Sequence, residues 1–265
     1  MIKHFRKIRH NLLSENNFSN YLLYAIGEIV LVVIGILIAL SINNWNENKK
    51  KKEIVIVYLQ NYLEDLKDDK RSMKSLQDYN AFRYYSLQHL LKMSGETQFK
   101  SNNSIYHVPS LSITRHWKGE FPWEYNKEFV QTAIEHSQGS LGHDLNQSTI
   151  NELKSTGYFS FLDNSELKES INNYYQEWGW RLGEHEEGYN WQLIVSWEHS
   201  LGEDGITTSD PFYSLSFLKD RQKRLAILRR LIREAGWLAL CAEHISKNAD
   251  TLITEVFFSG GQTQR

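Results

Sequence analysis

One carboxylate stands where a carboxylate is costly. Glu28 lies within a stretch, Tyr21 to Ile42, that is otherwise mostly apolar, and a charge surrounded by hydrocarbon is rare enough to mark an ion relay, a partner contact or a helix-pairing site. At helical periodicity, positions 28, 31, 32, 35 and 39 share one face. Gly35 and Ala39 therefore follow Glu28 along that face as a small-xxx-small pair, which lets a second helix approach closely. Two chemistries are open to Glu28. It can titrate inside an oligomeric bundle, or it can sit protonated or snorkelling near the interface and assist insertion and pairing.

The other reactive residue types form no comparable arrangement. Ten histidines are present, but no two have the HxxxH or HExxH spacing that puts two imidazoles on one helical face. Glu184-His185-Glu186-Glu187 offers one histidine and one carboxylate at most. Cys241 and His244 are one turn apart, yet Leu238, Ala239 and Leu240 point to a buried thiol rather than a reactive one. No GxSxG or phosphate-binding loop occurs, and Gly260-Gly261 lacks the following helix that a phosphate cradle needs. The pairs Glu64-Asp65 and Asp68-Asp69 read as a wet helix face. Trp178, Trp180, Trp191 and Trp197 read as core filling rather than as stacking platforms for sugars or lipids. The expectation is a protein without enzymatic activity, cofactor or metal.

The elements that would position Glu28 begin with the apolar stretch itself. Tyr21 to Ile42 makes roughly 33 Å of helix, enough for a hydrocarbon core of about 30 Å. Tyr21, Tyr24 and Trp45 lie near its ends, at the level amphipathic rings prefer. A cleaved signal peptide, with Ala39-Leu40-Ser41 as a cleavage-like site, fits less well, because the apolar run is longer than a signal core of about 7 to 15 residues. In residues 1–20, Ile2, Phe5, Ile8, Leu12 and Leu13 alternate with Lys3, Arg6, Lys7, Arg9 and His10, the pattern of a basic amphipathic segment on anionic lipid. Lys49 to Lys52 on the far side balance this basic tail. We place the N-terminus in the cytoplasm because a large domain translocates largely regardless of charge.

The 265-residue chain has 41% hydrophobic residues, 13% aromatics and only three prolines, a composition suited to long helices and one extramembrane core. The net charge of -2 gives no sign of nucleic-acid binding. The fold expected is all-α, with a basic segment at 1–20, a transmembrane helix at 21–45, a helical extramembrane domain at 46–258 and a flexible tail at 259–265. With no Gly or Pro between Gly35 and Gly95, the membrane helix runs on outward as a stalk. From Leu59, steps of three and four meet Leu59, Tyr62, Leu66, Asp69, Met73, Leu76, Asn80, Arg83, Leu87 and Leu90. That interrupted seam suits a bundle helix better than a self-associating coiled coil. Ser94 to Glu120 reads as a connection with an extended piece around Ile105 to Ile113, and Trp123 to His136 as a short helix burying Phe129, Val130, Ala133 and Ile134. Capping boxes at Thr149/Glu152 and Asp163/Glu166 each open a helix, the first ending near Gly157. The second runs through Gly179, Gly183 and Gly188 to Trp197, each glycine weakening it by about 1 kcal/mol relative to alanine. The longest helix of the domain starts at Pro211 and carries Leu215, Leu218, Leu225, Leu228, Leu231, Ile232, Ala235, Leu238 and Ile245.

Two passages of the chain resemble an uncharacterised bacterial family of single-span membrane proteins, a domain of unknown function. They are MIKHFRKIRHNLLSENNFSNYLLYAIGEIVLVVIGILIALSINNWNENKK at the start and INELKSTGYFSFLDNSELKESINNYY, beginning at Ile150. The resemblance implies an anchor in the bacterial inner membrane and a mostly helical outer domain, periplasmic if the N-terminus is cytoplasmic. It implies no activity. The partners expected are the lipid bilayer and either further copies of the chain or another membrane protein. A non-enzymatic interaction or scaffold role leads. An ion-coupled complex using Glu28 and a ligand-sensing domain are the alternatives.

Overall fold

The computed structural model describes residues 18–95, 107–108, 115–139, 144–219 and 221–262. The basic segment expected at 1–20 and the extended piece around Ile105 to Ile113 lie mostly outside these residues. No strand occurs among the described residues.

Helix α1 spans Phe18–Met93, 76 residues without interruption, or about 114 Å of axis. It ends where the sequence first permits, at Gly95, whose φ of +89° lets the chain turn while Ser94 N–H donates to Leu90 O. From Leu22 to Lys50 its side chains are exposed, apart from half-buried Tyr24 and Ala25, and Val55 is the first buried residue. Beyond that point every position of the interrupted seam, Leu59 to Leu90, is buried, Asp69, Asn80 and Arg83 included. The seam packs within the chain, as a bundle helix does.

Its main partner is α6, Gln222–Gln262, which runs antiparallel to it. Lys70 meets Asp250 at 2.6 Å and, four turns on, Arg83 meets Glu234 at 2.9 Å. The C-terminal end of α6 thus lies towards the apolar part of α1. Two cores are stacked along this pair. The nearer one joins Val55 to Leu76 of α1 with Leu238 to Val256 of α6, with α3 (Ser148–Ser155), a 3-10 turn (Tyr158–Phe161) and α4 (Ser165–Leu182) closing its side. The farther one joins Ala81 to Leu91 with α2 (Lys127–Ser137), α5 (Glu184–Gly202) and Leu225 to Ala239 of α6.

Several local expectations change. The helix read from Pro211 begins only at Gln222. Residues 206–219 form turns whose Phe212, Leu215, Phe217 and Leu218 plug the far core, so their helix-like spacing reflects burial without helicity. Buried Arg224 fastens that segment by an ion pair to Asp204 (2.9 Å) and by donating to Phe217 O (2.5 Å) and Ser200 O. Neither capping box forms. Asn146 accepts from Ser148 N–H at the start of α3, and Asn164 caps α4 by accepting from Leu167 N–H at 3.0 Å. Asp163, freed from capping, pairs with Lys52 at 2.5 Å. The helix expected to run to Trp197 breaks at Gly183, where a Cβ would lie 2.4 Å from Gly179 O, so the tight corner between α4 and α5 excludes side chains. The tail at 259–265 is helical as far as Gln262, and Ser259 accepts from Asn164 Nδ2 at 3.1 Å. Residues 263–265 lie outside the described ones.

Candidate functional site

The polar residues that interrupt the α1 seam are bound within the bundle. Arg83 is fully buried. Its Nη2 donates to Glu234 Oε2 at 2.9 Å and to Ser137 O at 3.0 Å, and its Nη1 donates to Asn80 Oδ1 at 2.7 Å. Asn80 returns its own N–H to Leu76 O. Burying a guanidinium is tolerated only when its donors are met by a carboxylate and carbonyls in this way. Gly139, at φ +81°, closes over the group, and a Cβ there would stand 3.2 Å from Arg83 Nη2. The tier ties α1 to α6 by charge and to α2 by the hydrogen bond to Ser137 O. Of the guanidinium nitrogens, Arg83 Nε meets no acceptor among the described residues.

Asp69 forms the second tier. It accepts from Asn146 N–H at 2.7 Å and from Tyr174 OH at 3.2 Å, while Asp65 accepts from Asn146 Nδ2 at 2.7 Å and Tyr175 OH donates to Asn146 O at 3.3 Å. The expectation of a wet face is therefore corrected at Asp69, which pins the start of α3 to α1. Burial pushes its carboxyl up to about 6, against the pull of its two hydrogen bonds and with Asp65 and Asp68 adding to the rise. Burial likewise raises the phenols of Tyr62, Tyr174 and Tyr175 above their ordinary value. Because Asp69 binds its proton more tightly folded than unfolded, its contribution to stability is full below about pH 4 and is lost as pH rises through 6. In denaturant titrations from pH 4 to 7.5, Asp69→Asn is expected to remove this falling component, on the order of 2–3 kcal/mol. An unchanged pH profile would contradict the assignment.

A third cluster brings together histidines far apart in sequence. Phe82 stacks on His116, with centroids 5.4 Å apart, and meets His136 edge-on at 4.9 Å. The two imidazoles are 5.2 Å apart, and burial, then the charge of His136, lowers the His116 value. Asp78 nearby is buried and faces Lys74 at 3.3 Å. Among the described residues no three His, Cys, Asp or Glu side chains are arranged to hold a metal ion.

The residues singled out in the sequence are mostly kept apart. Glu28, Gly35 and Ala39 all lie on the exposed apolar part of α1, and a Cβ added at Gly35 would meet nothing within 4 Å. The face that carries the carboxylate is thus open along its length. Cys241 is buried in the near core, while His244 faces Glu177 at 3.5 Å and Asn248 at 3.2 Å. The tryptophans divide. Trp197 fills the far core and Trp178 packs against the near one, but Trp180 and Trp191 are exposed, with Arg181 lying over the Trp180 ring at 4.9 Å. The side chains of Glu184 to Glu187 lie outside the described ones. The buried tiers were legible only as breaks in the seam. Nothing local signals that Glu234 or Asn146 would be their partners.

The site that remains is a surface. An all-helical bundle is joined, through one unbroken helix, to an exposed apolar segment long and apolar enough to cross a membrane. The profile of a family of unknown function, DUF6090, matches residues 28–90, which is α1 from Glu28 almost to its end. Over that helix the chain is similar to this uncharacterised family, while the passage beginning at Ile150 falls outside the match. No curated protein and no solved structure matches the chain.

Proposed function

We propose that the chain is a membrane-anchored, non-enzymatic interaction module. The apolar part of α1 crosses the bilayer, and the helical domain at its outer end contacts a partner or further copies of the chain. The carrying observation is the unbroken α1 helix, exposed and apolar from Leu22 to Ile42 and buried in the bundle from Val55 onward. Large apolar side chains left exposed over that length call for lipid or another helix. In this reading the N-terminus is cytoplasmic and the domain lies on the outer side of a bacterial inner membrane.

The Glu28, Gly35 and Ala39 face is the proposed contact with a second transmembrane helix. Cys241 is the chain's one cysteine and is buried, so a cysteine introduced at Ala39 can be followed directly. Ala39→Cys is expected to crosslink in membranes severalfold more than Leu37→Cys on the opposite side of the helix, and adding Gly35→Leu is expected to suppress the product severalfold. Release of the chain by alkaline extraction would overturn the anchor. Equal crosslinking at the two positions would overturn the face, and turnover in a broad substrate screen would overturn the non-enzymatic reading. Exposure of Glu28 on that same face favours one second reading, an ion-coupled role, which would fail if Glu28→Gln left ion flux through reconstituted vesicles unchanged.

A further inference from the structure

Four consecutive lysines, Lys49 to Lys52, follow Trp45 where α1 passes from its exposed part into the bundle, Lys49 and Lys50 exposed and Lys51 and Lys52 half-buried. Successive residues turn by about 100°, so the four ammonium groups ring the helix instead of lining one side. They rise about 6 to 10 Å beyond Trp45 along the axis, and the polar layer of a bilayer is about 5 to 7 Å deep on each side. Lysine side chains are long enough to bend back across that distance.

The structure divides their tasks. Lys52 is committed to Asp163 at 2.5 Å, and Lys51 lies over the Phe161 ring at 4.8 Å. Lys49 instead leans back towards the apolar segment, 6.0 Å from the centre of the exposed Trp45 ring, and Lys50 is exposed. Two acids flank the run. Glu47 accepts from Asn43 at 3.0 Å, and among the described residues neither Glu47 nor Glu53 closes an ion pair with these lysines.

We infer that Lys49, Lys50 and Lys51 form a collar that binds the phosphates of anionic glycerophospholipids in the leaflet beside the helical domain. This rests on the membrane-spanning reading of α1. Charge complementarity and continuity with the apolar segment select the occupant. A run of cations one headgroup layer beyond a span meets anionic phosphate at short range, inside the screening length of about 8 Å. Lys52 and Lys51 also touch the turn that leads into α4, so lipid held by the collar borders the base of the bundle.

The test places the full chain in phosphatidylcholine vesicles with spin-labelled phosphatidylglycerol or phosphatidylcholine as probe, and reads the motionally restricted fraction. Phosphatidylglycerol is expected to associate severalfold more strongly than phosphatidylcholine at low salt. The preference should fall towards one in K49Q/K50Q/K51Q, with K49Q and K50Q giving partial losses should the triple variant not be recovered folded. Equal association of the two probes with the wild-type chain would overturn the collar. So would a preference that survives these variants and disappears only when Lys3, Arg6, Lys7 and Arg9 are replaced by glutamine, because that assigns the lipid to the opposite leaflet. Alkaline extraction separates the two readings: a chain that resists it but shows no lipid preference retains its anchor and loses the collar.

Discussion

Glu234→Ala is expected to lower the unfolding free energy by about 3–5 kcal/mol, because it leaves the Arg83 guanidinium charged and buried without its carboxylate. Arg83 donates to Glu234, Ser137 O and Asn80, and only the first of these partners carries charge. The matching apolar pair, R83M/E234L, is expected to recover most of the loss, since removing both charges also removes the cost of desolvating them. Denaturant titration of the full chain in mild detergent, followed by circular dichroism, reads both variants. A loss below about 1 kcal/mol for Glu234→Ala would show that water reaches the guanidinium. A double variant no better than the single one would show that the pair does more than neutralise itself, for instance by fixing the register of α1 on α6.

The second large effect is expected at Trp197. It is 0% exposed and fills the far core between α1, α2, α5 and α6, so Trp197→Ala should cost about 3–5 kcal/mol through lost contact and the cavity left behind. Its indole Nε1–H meets no acceptor among the described residues. Trp197→Phe therefore gives up volume but no hydrogen bond, and should cost well under half as much. Trp180, 67% exposed, supplies the control: Trp180→Ala should stay within about 0.5 kcal/mol of the parent. Comparable losses at the two positions would contradict this division of the tryptophans. The contrast matters because composition treats all four as one group, whereas only their depth in the fold decides what each is for.

That contrast recurs throughout the chain. The apolar helix, its continuation past the lysines and the stop at Gly95 are local properties, written by side-chain hydrophobicity and by the absence of glycine and proline from Gly35 to Gly95. Likewise Phe129, Val130, Ala133 and Ile134 become buried on α2 because a 3.6-residue repeat has only one inward face. Where periodicity misled, another kind of burial imitated it. Phe212 to Leu218 carry helix-like spacing yet enter the core as turns, and Arg224 reaches across to hold the Phe217 carbonyl. Asp163 followed by Glu166 suggested a cap, but Lys52, far away in the chain, claims the carboxylate and Asn164 takes the role.

The sequence by itself therefore determined the long apolar helix and the all-helical class, because each follows from neighbours within a few turns of one helix. Only the tertiary structure decided the fate of Asp69, Arg83 and Trp197. Whether a polar or aromatic side chain is buried, and what satisfies it there, depends on groups up to 151 positions away, as at Arg83 and Glu234. No local spacing encodes such a meeting, which exists only once α1 and α6 lie side by side.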